Sequence, residues 1–298
     1  MTPMPDARSL MDLVRLPAVL SVPGDSLLGH ASAKVPGSPA RTVGLAGSSC
    51  LLYLGGMALN DYADRDVDAV ERPQRPIPSG RVQADFALRL AQALTAAGVI
   101  TAGLAGGRRS LAVAVPLAAT IWAYDLALKN TPAGPVAMAG CRALDVLLGA
   151  SPVAIAPALA PAAVVGGHTL AVTVVSRHEA GGGSPAVGRG AACAAAVVTV
   201  AAGAFAIRRL RGAPRVRALA PGAAGLLAVY ASSFGRASVE AARDPSAPRL
   251  QRVVAAGVLG LIPLEAAMLA GVGRPAAAGG LASLWPLARQ LSRRRSVT

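Results

Sequence analysis

The chain reads as an all-α, polytopic membrane protein of about nine transmembrane helices, and three observations carry that expectation. Of its 298 residues 53% are hydrophobic and the mean hydropathy is +0.51, too apolar for an ordinary soluble domain. Apolar runs long enough to cross a bilayer recur along it, cut by Arg, Pro and Gly clusters. The runs are rich in Ala, Leu and Gly and lack the alternation and aromatic girdles of a membrane barrel, so helices packed through small residues are expected rather than strands.

The first run, residues 11–30, follows a head containing Arg8 and itself holds Arg15, Pro17, Pro23 and Asp25. It lacks a clean small-residue cleavage site, so a retained first span is expected. Runs at 41–60, 86–106, 110–128 and 134–151 follow, then 153–175, 190–208, 216–234 and 251–273. Residues 1–275 thus form the membrane domain. Residues 276–298 form a basic tail, partly disordered or interfacial, whose stretch from Leu281 to Arg295 with Trp285 suits a membrane surface.

The formal charge is +14, but the cations are scattered between apolar runs and no soluble domain carries a basic face, which argues against nucleic acid as a partner. With the N-terminus inside, Lys and Arg divide 14 to 14 across the two sides, so the positive-inside rule leaves the orientation open. Cys50, Cys141 and Cys193 have no paired spacing and read as small packing residues.

Against only 15 acids in the whole chain, four fall in Asn60-Asp61-Tyr62-Ala63-Asp64-Arg65-Asp66-Val67-Asp68. On a helix Asp61, Asp64 and Asp68 share an arc of about 60°, whereas Asp66 points roughly 140° away. Carboxylates this close repel unless a cation offsets them, and the donor type suits Mg²⁺ bridging to phosphate oxygens. A solvated acidic loop between two spans is the bland alternative. Three prolines then stiffen Glu71-Arg72-Pro73-Gln74-Arg75-Pro76-Ile77-Pro78-Ser79-Gly80-Arg81. Arg72, Arg75 and Arg81 could grip a diphosphate, or meet lipid head groups.

The pattern Asn60, Asp61, Asp64, Asp68 followed by Arg75-Pro-Ile-Pro-Ser-Gly80 resembles the UbiA superfamily of intramembrane prenyltransferases. The resemblance implies a UbiA-like bundle of about nine helices in a bacterial-type inner (plasma) membrane. It places the motif at the cytosolic end of the second helix, with Mg²⁺ and a prenyl diphosphate bound there. Tyr124-Asp125-Leu126-Ala127-Leu128-Lys129 is similar to the family's Tyr-Ser-x-x-Leu-Lys segment, with Asp125 in place of Ser. Lys129 would then contact the diphosphate; alone, it also reads as a snorkelling span end. Arg142 and Asp145 lie inside an apolar run, where charges usually line a functional cavity, and their i, i+3 spacing also permits a mutual ion pair. By resemblance Arg142 holds the acceptor's polar head, with Arg15 a second residue near the acceptor.

The family's second acidic motif is incomplete here: Ser176-Arg177-His178-Glu179-Ala180-Gly181-Gly182-Gly183 has Glu179 as its single acid, with Gly181 where an Asp is usual. The expected metal ligands are Asp61, Asp64, Asp68 and Glu179, with Asp61, Asp64 and Lys129 catalytic. Asn60, Arg72, Arg75, Arg142, Arg15 and His178 would bind substrate. The implied activity is Mg²⁺-dependent transfer of an isoprenyl group from a prenyl diphosphate to an aromatic or other small acceptor among membrane lipids. A non-catalytic relative that binds or exports a prenylated or phosphorylated metabolite is the alternative that the altered second motif favours.

Overall fold

The computed structural model describes residues 5–35, 39–211 and 214–294, and every regular element among them is helical. The N-terminal apolar run does not form the single span expected of it. Asp6 caps α1 (Ala7–Leu13) by accepting the Ser9 backbone N–H at 2.7 Å. Arg15 then adopts a left-handed backbone, φ 46°, before the single turn α2 (Leu16–Val19). Proline restarts the chain as α3 (Pro23–Ser32), ten residues that cover only about 15 Å. The prolines and the charged Arg15 and Asp25 divide the run into pieces, and the break lets Arg15 turn inward.

The acid motif closes the long helix α4 (Pro39–Ala63) and continues into α5 (Arg65–Glu71), the two joined at Asp64. The i→i−4 hydrogen bonds Asp64 N–H to Asn60 O and Asp68 N–H to Asp64 O carry the turn through the join, at 2.9 and 2.8 Å. Helix α6 (Ala84–Ala123) folds back on itself at Gly107, whose φ of 71° and ψ of −159° suit glycine, and its returning leg ends in a π turn at Tyr124–Leu128. Both legs pack on α4 around Leu45, Leu52, Ala102 and Leu117.

Helix α7 (Gly134–Ala150) crosses α3 with backbones in contact: a methyl group on Gly29 would sit 1.8 Å from the Val146 carbonyl, and one on Gly149 1.9 Å from that of Ser26. Helices α8 (Leu159–Ser176), α9 (Pro185–Arg211), α10 (Ala220–Tyr230) and α11 (Arg236–Arg243) surround α12 (Ala247–Gly271), which is buried continuously from Leu259 to Gly271. A helix apolar on every side suits that central place.

Six helices among the described residues are long and apolar enough to cross a membrane, so the count of nine is not confirmed. One of the six, 84–128, is the hairpin bent at Gly107; α7 has only 17 residues, and the first run is broken. The tail also differs from expectation. Helix α13 (Pro275–Arg294) turns at Gly273 and runs back along α12 to reach α2, with Ala278, Leu281 and Ala288 in the main core. Residues 295–298 lie outside the described residues.

Candidate active site

Three loops and two helix ends converge at one end of the bundle. The αL break aims Arg15 at the acid motif, where its Nη2 donates to Asn60 Oδ1 and Asp61 Oδ1, both at 3.2 Å. Asn60 turns its amide to Asp125 Oδ1 at 3.0 Å, fixing the π turn against α4. In the proline loop, Arg75 Nη1 bridges Asp61 Oδ1 at 3.2 Å and Asp68 Oδ2 at 2.9 Å. Lys129 reaches Asp64 from the other side at 2.5 Å. Asp66 points away, exposed and paired with its neighbour Arg65, as the helical angle predicts.

Arg72 meets Glu179 at 3.6 Å, so the degenerate second loop reaches the proline loop that follows the first motif. Burial holds the Glu179 carboxyl above its ordinary value, with Arg72 pulling the other way. One Glu179 oxygen, Oε2, is buried without a hydrogen-bond partner.

Several expected roles change. His178 bonds back to the Val174 carbonyl through Nδ1, 3.1 Å, and does not line the site's cavities; at the frayed end of α8 its own helix supplies the nearest partner. Arg81 ties the proline loop to α1 through Asp12 at 3.0 Å instead of facing the motif. Arg142 does not pair with Asp145. It pairs with Asp25 at 2.9 Å and Glu265 at 3.6 Å, carboxylates from α3 and α12 packed against it, while Asp145 accepts from Ser49. Arg15 belongs to the acid motif at least as much as to any acceptor, and Lys129 flanks a side opening with Tyr62 and Arg65.

Two adjoining cavities of about 270 and 190 Å³ share Arg15, Tyr53, Met57, Asn60, Tyr124 and Arg142. The first is bounded at its mouth by Asp64, Arg72, Arg75 and Glu179 and continues between Val172, Val254, Val258 and Leu261. The second runs deeper, past Leu52, Leu117 and Ile121 to Asp145. A larger groove of about 700 Å³ between α9 and α11 is lined mostly by Ala and Val and lies away from the motif. Sequence reasoning missed Tyr53, Met57, Tyr124, Asp25 and Glu265 as members of this region. For the two acids the signal was present: each is a lone carboxylate in an apolar run.

The motif's side chains fit a hard divalent ion in kind. Asp61 and Asp68 already share one cationic nitrogen, and Glu179 offers a free oxygen near Arg72. No three His, Cys, Asp or Glu residues among those described converge as a ready-made metal cluster, and the motif's acids are held by Arg15, Arg75 and Lys129, Arg75 bridging two of them.

A helical bundle with a cation-and-carboxylate mouth over an apolar interior defines a multi-pass membrane protein with a polar site at one end of the bundle. The profile of the UbiA prenyltransferase family matches residues 26–245, and the chain belongs to that family. Digeranylgeranylglyceryl phosphate synthase of Ignicoccus hospitalis is 40% identical over 129 residues, which cover 42% of this chain and 40% of that protein. The synthase of the same name from Halobacterium salinarum strain NRC-1 is 32% identical over 176 residues, 58% of this chain and 60% of that protein. The alignments thus span between two and three fifths of these relatives' lengths. The Aeropyrum pernix K1 UbiA homolog, solved without ligand, superposes with a TM-score of 0.54 at 18% identity, covering 93% of this chain and 98% of that one. A second solved structure, described as insight into digeranylgeranylglyceryl phosphate synthase in membranes, gives 0.58 at 15% identity over 89% and 98%. Both likenesses concern the fold.

Proposed function

We propose that the chain transfers the isoprenyl group of a prenyl diphosphate to a small acceptor within the membrane. The observation that carries this reading is the cavity whose mouth holds Arg15, Asn60, Arg72 and Arg75 and whose walls become Val172, Val254, Val258 and Leu261. A prenyl diphosphate has the same polarity along its length. Arginines match phosphate oxygens in pairs, and the apolar wall accepts the isoprenoid while excluding the water that would quench an allylic cation. The relatives' name adds a glyceryl phosphate to aromatic compounds as candidate acceptors.

In the reaction the C1–O bond breaks with its electron pair on the departing diphosphate, and a nucleophilic atom of the acceptor bonds to C1 and gives up a proton. Arg72 and Arg75 bind and orient the diphosphate, and Lys129 fixes Asp64 beside it. Asp61, Asp64, Asp68 and Glu179 would hold Mg²⁺, which supplies charge neutralisation for the leaving group. The site faces the cytoplasm: with α13 folded back, its basic end, Arg289 included, joins the acid-motif side, and the even division of Lys and Arg tips toward that side.

A second reading, a binder or exporter without turnover, draws on the ion pairs that hold Asp61, Asp64 and Asp68 apart. The two separate in one assay. Purified wild-type and Asp64→Ala protein are given radiolabelled prenyl diphosphates of several lengths with aromatic and glyceryl phosphate acceptors, with and without Mg²⁺. Prenylated product that requires both Mg²⁺ and Asp64 is expected. Diphosphate binding without product across the panel would replace transfer by the binding role.

A further inference from the structure

The groove between α9 and α11 plays no part in the prenyl-transfer reading, yet its lining is graded like an amphiphile. The two helices cross in backbone contact: a methyl group on Gly188 would sit 2.3 Å from the Ala242 nitrogen. Beyond the crossing the walls are Ala192, Ala195 and Ala196 on one side, with Ala231 and Gly235 of the π turn that joins α10 to α11 on the other. Side chains this small leave about 700 Å³ open. Thr199 in the same wall donates its hydroxyl to the Ala195 carbonyl at 2.7 Å, so that stretch presents carbon. Charge gathers toward the crossing. Arg236 and Arg243 stand seven residues apart on α11, which turns both to one side, about 10 Å apart along the axis. Glu240 between them is taken up by Arg249, Nη1 to Oε2 at 2.7 Å, and Arg249 also holds Asp244 at 3.4 Å. Arg236 and Arg243 are exposed, and among the described residues neither has an acid partner. Arg189, three residues before Ala192 and so on the same face of α9, brings a third cation to this end.

We propose that this groove binds one anionic phospholipid from the leaflet on the acid-motif side, its phosphate between Arg236 and Arg243 and an acyl chain along Ala192, Ala196 and Val200. The chain itself sets the level: Gly183 N–H donates to the Pro245 carbonyl at 3.0 Å, so the turn after α11 is tied to the loop that carries Glu179. Arg236 lies within a stretch long and apolar enough to span, Arg217–Arg243, where an unpaired guanidinium facing hydrocarbon is costly. Its long stem lets the charge reach back toward Arg243. Two unpaired guanidiniums in one groove repel; a phosphate between them replaces that repulsion with attraction and accepts paired N–H groups from both. A choline headgroup fits worse, because it brings its own cation to an end that is already cationic. Inorganic phosphate has no chain for the apolar wall. Bound there, the lipid bridges α9 and α11 beside the Glu179 loop.

The test is native mass spectrometry of the full chain in detergent, titrated with dioleoyl phosphatidylglycerol, dioleoyl phosphatidylcholine or sodium phosphate. It compares wild type, Arg236→Gln/Arg243→Gln, Ala196→Trp and, at the opposite end of α9, Arg208→Gln/Arg211→Gln. Wild type should hold one phosphatidylglycerol about tenfold or more tighter than phosphatidylcholine. Arg236→Gln/Arg243→Gln should lose that preference, and Arg208→Gln/Arg211→Gln should keep it. Ala196→Trp fills the groove without touching a charge and should weaken both lipids. Thermal unfolding without lipid checks that each variant is folded, and the comparison of the two lipids on wild type needs no variant. Equal binding of the two lipids by wild type overturns the site, as does a phosphatidylglycerol preference that survives Arg236→Gln/Arg243→Gln. Displacement of phosphatidylglycerol by equimolar sodium phosphate would overturn the lipid as occupant. A wild-type dimer lost in Ala196→Trp would give the groove to a second copy of the chain instead.

Discussion

Arg75 is the residue on which the mouth turns, since one of its nitrogens holds both Asp61 and Asp68 and all three are largely withdrawn from solvent. Arg75→Ala leaves two acids without that partner and is expected to destabilise the protein by about 3 kcal/mol, read as a lowered midpoint of thermal unfolding in detergent. Glu179 gives a pH test. Its carboxyl is held above the ordinary value, so the folded state binds its proton more tightly than the unfolded chain, and wild type loses stability as pH rises from the unfolded value near 4.5 through the folded one. Glu179→Gln should therefore match wild type at low pH and gain on it as pH rises, whereas Arg72→Gln should widen the gap. A Glu179→Gln advantage that shrinks with rising pH would contradict the burial argument. Spacing made Asp61, Asp64, Asp68 and Arg75 legible as a group, but their partners were not: Arg142 and Asp145 are three residues apart, yet packing gives Arg142 to Asp25 and Glu265.

At the scale of elements, the crossing of α3 on α7 depends on Gly29 and Gly149, where backbones touch and a methyl group has no room. Gly149→Ala is expected to cost about 2 kcal/mol or more through overpacking, and with it the placement of Asp25 beside Arg142. Thermal unfolding and prenyl diphosphate binding measured together check this, the first falling more than the second. The apolar runs were readable because hydropathy is a local property. The breaks were only partly so: prolines and charges marked the first run as unusual, while the left-handed turn at Arg15 and the hairpin at Gly107 follow from which neighbours each piece finds.

For the whole molecule, α13 returning along α12 predicts that the end of α13 and the acid motif lie on one side of the membrane. A reporter enzyme active only in the cytoplasm, fused after Thr298, should be active in cells; a reporter active only outside would reverse the orientation proposed for the site. By itself the sequence determined that this is a helical membrane protein with an acidic and basic mouth, because hydrophobicity and carboxylate spacing act over a few residues. Tertiary structure decided which charges meet. Asp25, Arg142, Asp145 and Glu265 come from three helices spread over 240 residues, and no local pattern in a sequence records a contact that only packing creates.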